Sequence, residues 1–405
     1  RVARAFGWRT VRRGRSMTDL REEAFRAEVA AWMEEHLRGE FEPLRGCGGL
    51  GSPGYGPKLA KRWEQELARG GWVGIGWPKE HGGRGLPLSQ QVAFHEEYVR
   101  AGGPGRLGHI GETLLAPTLI AFGTPEQQRR FLPGIRAGVE YWAQGYSEPN
   151  AGSDLANVQT RARLEGDHWV IDGQKTWTSW AHESDWIFVV ARCEPGSQRH
   201  HGLVMLLVPL HQDGVTIRPI RQITGDSEFN EVFFDGARTE ASLHLGAPGE
   251  GWKVAMALLG FERGVSTLGQ QAGFEREMAC LLEVARRNGA ARDPALRQRI
   301  AQAALTLDAL RCNALRVLAQ DDSEKGASVS REAYIAKFAW SNWRRDFGRL
   351  AADVLGAAAV LTDDDDPLAQ KLRQVWLFSR SDTIYAGANE IQLNLIAERA
   401  LGMPR

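Results

Sequence analysis

Three short stretches of this chain carry residue types that could do chemistry. The first, Gln144–Asp154, reads QGYSEPNAGSD, and the second, Gly173–Ser179, reads GQKTWTS. In the first, Ser147, Pro149, Asn150, Gly152 and Ser153 interrupt an aromatic approach, Tyr141 to Tyr146, so the backbone must bend where small hydroxyls are displayed. A bend at a strand end leaves N–H groups unpaired, and such groups beside Ser hydroxyls suit a ligand rich in carbonyls or phosphates. A plain Asx or Ser turn has the same composition, so the loop alone leaves both readings open. The third stretch is ALLGFERGVS, around Glu262 and Arg263. Helical spacing sets Glu262 beside an apolar stripe of Val254, Leu258, Phe261, Val265 and Leu268, with Gly260 and Gly264 on either side. A carboxylate there is costly without a partner or a task. It is a buried acid satisfied by an Arg or a backbone amide, or a dry base whose pKa is raised by burial.

The elements that must position these stretches follow from periodicity. From Thr18 to about Arg136 the pattern is helical, beginning with Phe25, Val29, Trp32, Met33 and Leu37 at spacings of three and four. A Gly/Pro-rich linker, Gly46–Pro57, precedes a helix over Lys58–Arg69. GWPKEHGGRG (Gly76–Gly85) lacks the strand-GxxxxGK[ST]-helix order of a phosphate loop and reads as a structural turn. Helices are predicted over Leu88–Arg100 and Gly111–Phe122, and Thr124-Pro125-Glu126 opens another with Pro in its first turn.

Between about Tyr141 and Leu245 the period shortens. WVIDG (Trp169–Gly173), DWIFVVARC (Asp185–Cys193), GLVMLLVPL (Gly202–Leu210), VTIRPI (Val215–Ile220) and EVFFDG (Glu231–Gly236) are β-rich runs bounded by turn residues. With no helical segment between them they predict an antiparallel β domain, and no G-x-G-x-x-G supports a Rossmann cradle. From Trp252 the chain turns helical again, over Trp252–Asn288, Pro294–Asp321, Ser330–Leu361 and Pro367–Ala388, which suits a four-helix bundle. Asp363–Asp366 stands just before Pro367, where acids cap a helix N-terminus. The expected class is therefore α+β, with a flexible extension over 1–16, a helical domain over 17–140, a β domain over 141–247 and a helical bundle over 248–405.

Lys+Arg and Asp+Glu balance at 50 each, so no global field argues for nucleic acid or an anionic membrane. Residues 1–16 hold six Arg and no acid, but only one Ser, and Met17-Thr18-Asp19 reads as an ordinary start. No apolar run is long enough for a membrane span. Cys47, Cys193, Cys280 and Cys312 lie far apart without CxxC pairs, which disfavours a metal or disulfide framework and fits a reducing cytoplasm.

The order Y-S-E-P-N-A-G-S-D, then G-x-K-x-W-T-S, then ITGDSEFNEVFFDGAR (Ile223–Arg238), GEGWKVAM (Gly249–Met256) and IYAGANEIQLNLIAERALG (Ile384–Gly402) resembles the acyl-CoA dehydrogenases along nearly the whole chain from Met17. The resemblance implies helical, β and helical domains, an FAD cofactor and desaturation of an acyl-CoA thioester. In such chemistry a carboxylate takes the proton next to the carbonyl while the flavin accepts a hydride from the neighbouring carbon. The family most often carries this base in a late Y-E-G-T motif, which here reads Tyr385-Ala386-Gly387-Ala388, and Ala386 cannot take a proton. A second group carries it in a Glu-Arg pair after the β domain, so the resemblance points to Glu262 as base, with Arg263 near the CoA end of the substrate.

By the same resemblance Gln144, Tyr146, Ser147, Trp177, Thr178 and Ser179 contact the flavin, and Ala388 and Glu390 adjoin it. Ser153 meets the CoA side, and the N–H of Ala386 donates to the thioester carbonyl. Two departures touch the FAD pyrophosphate. The usual R-x-x-F-G lacks its Phe-Gly in Ala285–Ala290, and the usual Q-x-x-G-G reads Asp353-Val354-Leu355-Gly356-Ala357, placing Asp353 and Gly356 in the cofactor set with an acid where an amide is usual. Similar departures occur in actinobacterial members acting on steroid or other bulky acyl-CoAs, some of them heterotetramers in which unlike chains share each FAD. The implied partners are an electron-transfer flavoprotein or similar acceptor, and either like copies in a dimer or tetramer or an unlike chain of the family. An oxygen-using flavoprotein and a non-catalytic subunit remain as alternative readings.

Overall fold

The computed structural model describes residues 17–48, 56–261, 266–321, 331–361 and 366–404. Its helical N-terminal region contains α1 (Met17–His36), α2 (Pro57–Arg69), α3 (Leu88–Arg100), α4 (Ala116–Phe122) and α5 (Pro125–Arg136). Val29 and Met33 of α1 and Leu37 just beyond it recur at the predicted spacing and are fully buried against Trp63, Leu67, Phe94 and Tyr98. Helix α5 starts where Thr124 and Pro125 predict. The Thr124 Oγ1 accepts from the Gln127 N–H at 3.2 Å while the Gln127 side chain accepts from the Thr124 N–H at 2.9 Å. Such a reciprocal cap is worth about 1 kcal/mol. The helix expected over Gly111–Phe122 opens instead as a π-turn, Gly111–Leu115, before α4. Pro117, with no N–H to donate, stands at the junction.

The middle of the chain forms an eight-stranded sheet: β1 (Trp142–Gly145), β2 (Arg161–Glu165), β3 (His168–Ser179), β4 (Trp186–Arg192), β5 (Leu203–Pro209), β6 (Val215–Ile220), β7 (Phe229–Glu240) and β8 (His244–Gly249). The order is β6-β7-β3-β2-β4-β5-β8, with β1 beside β4. Pairing is antiparallel except that β1 and one residue pair of β2 run parallel to β4, so the sheet is mixed. Side chains of β4 alternate as a strand must. Ile187, Val189 and Ala191 share an interior with Ile171, Val204 and Val232, while Phe188 and Val190 face a second core with Trp142, Phe131 and Leu258. Two dry faces explain why Leu203–Val208 is apolar without interruption.

Six helices follow among the described residues: α6 (Gly251–Phe261), α7 (Ser266–Arg287), α8 (Pro294–Asp321), α9 (Arg331–Leu355), α10 (Pro367–Phe378) and α11 (Asn389–Leu395). Phe274 and Leu281 of α7, Trp343 and Phe347 of α9 and Leu372 of α10 share one core. The single helix expected over Trp252–Asn288 is two helices, α6 and α7, with 262–265 outside the described residues. Nor does α10 run on to Ala388. The hydroxyls of Ser379 and Ser381 turn back onto the carbonyls of Trp376 and Phe378, at 2.9 and 2.7 Å, and compete with helix continuation. Asp366 caps α10 as expected, accepting from the Leu368 N–H at 3.0 Å, while Asp363 to Asp365 lie outside the described residues. No helix among the described residues is long and apolar enough to cross a membrane.

Candidate functional site

The two motif loops meet at the end of β3. Glu148 and Ala151 exchange backbone hydrogen bonds of 3.0 and 3.1 Å, closing a turn with Pro149 and Asn150 at its exposed corner. The Thr176 N–H then donates to the Ser147 carbonyl at 2.9 Å, binding the first loop to the second. Beneath this seam lies Lys175, fully buried, whose Nζ reaches the Glu148 carboxylate at 2.8 Å and the carbonyls of Tyr146 and Val190 at 3.0 and 2.8 Å. Burial lowers the Lys175 ammonium to about 8 even though Glu148 opposes the shift. Burial also works to raise Glu148, but Lys175 and the Gln159 and Thr160 N–H groups outweigh it and hold the carboxyl below its usual range. The geometry is that of an ion pair with both heads hydrogen-bonded.

Above this pair the strand is bulged between Lys175 and Thr178, and Trp177 takes a left-handed φ of 58° with its side chain 59% exposed. A bulky residue in that region costs on the order of 1–3 kcal/mol, so the surroundings must impose it. Asn230, fully buried on the facing strand β7, supplies part of the hold. Its amide donates to the Thr178 and Glu228 carbonyls at 3.0 and 3.3 Å and its oxygen meets His182 Nδ1 at 2.9 Å. Gln144, Ser147 and Ser179 are half-buried around this edge, and Thr178 is turned inward with its Oγ1 buried and without a partner among the described residues. Tyr146 is buried, its hydroxyl 3.4 Å from the Ala255 carbonyl of α6, and Ser153 is exposed on the rim.

The loop between β6 and β7 ties this edge to the C-terminal helices. The Trp180 N–H donates to the Glu228 carbonyl at 2.7 Å, and Gln374 of α10 donates to the Thr224 carbonyl at 3.2 Å. Buried Gln222 Nε2, Thr224 Oγ1, Glu228 Oε1 and Gln374 Oε1 have no partner among the described residues. Burial, aided by Asp226, raises the Glu228 carboxyl to about 7.

On the far side of the seam a second buried cluster holds the turn after α10. Arg344 of α9 bonds both oxygens of fully buried Asp382, at 2.9 and 3.2 Å, and both oxygens of Glu277, at 2.8 and 3.1 Å. The Tyr385 hydroxyl adds a bond to Asp382 of 2.9 Å, and Lys337 donates to the Asp382 carbonyl. Burial raises Asp382 despite Arg344, and raises the Tyr385 phenol as well. Immediately beyond, exposed Ala386 has φ 50° and Gly387 φ 91°, Ala388 caps α11, and Glu390 points outward in its first turn.

Other expected residues lie elsewhere. Asp353 is on the exposed side of α9, paired with Arg299 of α8 at 2.7 Å, and Gly356 follows at φ 58°, so the acid has a cation of its own chain beside it. Glu262 and Arg263 lie outside the described residues. Of the stripe expected to flank Glu262, Val254 and Leu258 are buried but Phe261 is 40% exposed. Sequence reasoning did not assign Glu148, Lys175, Asn230, Arg344 or Asp382. For the first two, opposite charges inside both motifs were an available signal.

Three family models match the chain: acyl-CoA dehydrogenase N-terminal domain over 19–139, middle domain over 143–237 and C-terminal domain over 249–401. Acyl-CoA dehydrogenase IpdE1 of Mycobacterium tuberculosis is 55% identical over 385 residues, covering 95% of this chain and 98% of that protein. The IpdE1 of Mycolicibacterium smegmatis is 54% identical over 391 residues, 94% and 97% of the two chains. Among solved structures, the Tcur3481-Tcur3483 steroid ACAD superposes with a TM-score of 0.82 at 30% identity, over 95% of this chain and 98% of that one. The ChsE4-ChsE5 complex from Mycobacterium tuberculosis gives 0.80 at 27%, over 98% and 100%.

Proposed function

The chain belongs to the acyl-CoA dehydrogenase family, and we propose that it removes two hydrogens from an acyl-CoA thioester to give the 2,3-enoyl-CoA, with FAD as cofactor and Glu262 as base. The observation that carries the cofactor reading is Trp177, an exposed indole forced to φ 58° at the meeting of the two motif loops. The residues present fit a flat heteroaromatic ring with a polar tail. Trp177 offers a face for stacking, Ser147 and Ser179 offer hydroxyls around it, and the orphaned Gln222, Thr224, Glu228 and Gln374 atoms offer unfilled polar valences along the seam.

FAD, when bound, supplies the acceptor for the hydride. The chain's own residues do the rest. Glu262 takes the α-proton, on a segment entered from α6 past Gly260, where a Cβ would meet nothing within 4 Å among the described residues. The Ala386 N–H donates to the thioester carbonyl and stabilises the charge that gathers there as the proton leaves. Arg263 and Ser153 hold the CoA end. Likeness to the two-chain Tcur3481-Tcur3483 steroid ACAD and to the ChsE4-ChsE5 complex supports a bulky acyl group and assembly with an unlike chain of the same family.

The decisive experiment is Glu262→Gln assayed against a panel of straight, branched and sterol-derived acyl-CoAs. Turnover falls by roughly 10²–10⁴-fold while flavin content is kept. Near wild-type turnover would overturn the assignment of the base, and fast reoxidation of the bleached flavin by air would favour an oxygen-using enzyme.

A further inference from the structure

We infer that Gln392 is a positioning residue for the thioester site, holding the Tyr385–Ala388 turn in a left-handed conformation that the turn's own residues resist. The inference rests on the reading above, in which the Ala386 N–H meets the acyl carbonyl. Ala386 has φ 50° and Gly387 φ 91°, two successive left-handed residues of which only the second is a glycine. Alanine meets steric resistance there, so something outside the turn must impose the shape. The only side chain that reaches both carbonyls of the turn among the described residues is Gln392 of α11, 4% exposed. Its Nε2 donates to the Ala386 carbonyl at 3.2 Å and to the Gly387 carbonyl at 3.4 Å, and its backbone N–H donates to the Ala388 carbonyl at 2.9 Å.

Peptide planarity converts that grip into orientation. In a trans peptide the N–H points opposite to the carbonyl of the same unit. Drawing the Ala386 and Gly387 carbonyls onto Gln392 therefore turns the Gly387 and Ala388 N–H groups the other way and fixes the plane next to the Ala386 N–H. None of these three N–H groups has an acceptor among the described residues. Glycine at 387 suits φ 91°, and a Cβ there would in addition push the Gln392 Nε2 off the turn. The Arg344–Asp382–Tyr385 cluster anchors the turn on its other side, so the strained segment is gripped at both ends.

Gln392→Met tests this, since Met fills similar space without a donor, with Gln392→Leu as the second variant should Met fail to fold. With the best acyl-CoA of the panel, kcat falls roughly tenfold to a hundredfold with KM little changed, as expected for a misplaced transition-state donor. Ala386→Gly is the discriminating background, because glycine takes positive φ without resistance. There Gln392→Met costs much less in kcat, and Ala386→Gly raises the melting temperature more in the wild type, where the strain is imposed, than in the Gln392→Met chain, where the turn has already relaxed. An equal kcat loss and an equal melting shift in both backgrounds overturn the inference and leave Gln392 a packing residue. An unchanged kcat in Gln392→Met does the same. A wild-type protein that turns over no acyl-CoA sinks the functional reading, whereas the melting-temperature coupling still decides whether Gln392 holds the turn.

Discussion

The β3 edge and the Ala386 turn solve one problem with different chemistry. Each presents an exposed residue in a left-handed conformation, Trp177 and Ala386, above a buried ionic cluster. At the β3 edge the cation is Lys175, a point charge that burial lowers to about 8 and that shares its protons among one carboxylate and two carbonyls. Under the turn it is Arg344, whose fork bonds both oxygens of two carboxylates and stays protonated. A lysine suffices where backbone carbonyls do much of the holding. Two buried acids need the planar fork.

That contrast is most sharply broken at Arg344. Arg344→Met leaves Asp382 and Glu277 buried without a cation, and costs about 3–5 kcal/mol in urea unfolding. Lys175→Met is milder, about 2–3 kcal/mol, because Glu148 keeps the Gln159 and Thr160 N–H groups as donors. Equal losses for the two variants would show that cation geometry does not matter here.

Between the two clusters sits Glu228, raised to about 7 by burial and Asp226. A carboxyl whose folded pKa lies above its unfolded value binds more protons when folded, so its contribution to stability is full below about 4.5 and lost as pH rises through about 7. Glu228→Gln removes that slope and gains about 2 kcal/mol at pH 8 relative to wild type, read from melting curves across pH 4–8. A parallel pair of pH profiles would contradict it. The smallest effect is expected at Trp177→Gly, which relieves the left-handed strain and stabilises the free chain by about 1 kcal/mol. The same variant loses flavin on gel filtration; retention of the flavin would remove Trp177 from the cofactor site.

Much of this was legible in the sequence, for local reasons. Val215–Ile220 alternates enough to fix β6 to the residue, and Thr124-Pro125 fixes the start of α5 because a cap needs only four residues. Motif order and spacing marked the Tyr146–Ser147 and Trp177–Ser179 edge. What was not legible depended on partners distant in sequence. Pro367–Ala388 has helical composition throughout, yet the helix stops at Phe378, where the Ser379 and Ser381 hydroxyls turn back, and the segment beyond is held by Asp382 on Arg344, thirty-eight positions away in sequence. The pairing of Lys175 with Glu148 requires the β3 register and the turn after β1 together. Left-handed Ala386 leaves no mark on composition, since its cause is a glutamine on the next helix.

The seam through Thr224, Glu228 and Gln374 bears on how the molecule comes to be folded. One half of the candidate site is written before β4 and the other after α10, and they are joined only when α10 docks on the β6–β7 loop. Loop closure over that span is slow, and contacts so distant along the chain form late. During synthesis the Trp177 edge is made while the Ala386 turn has yet to emerge, so the candidate site is completed last.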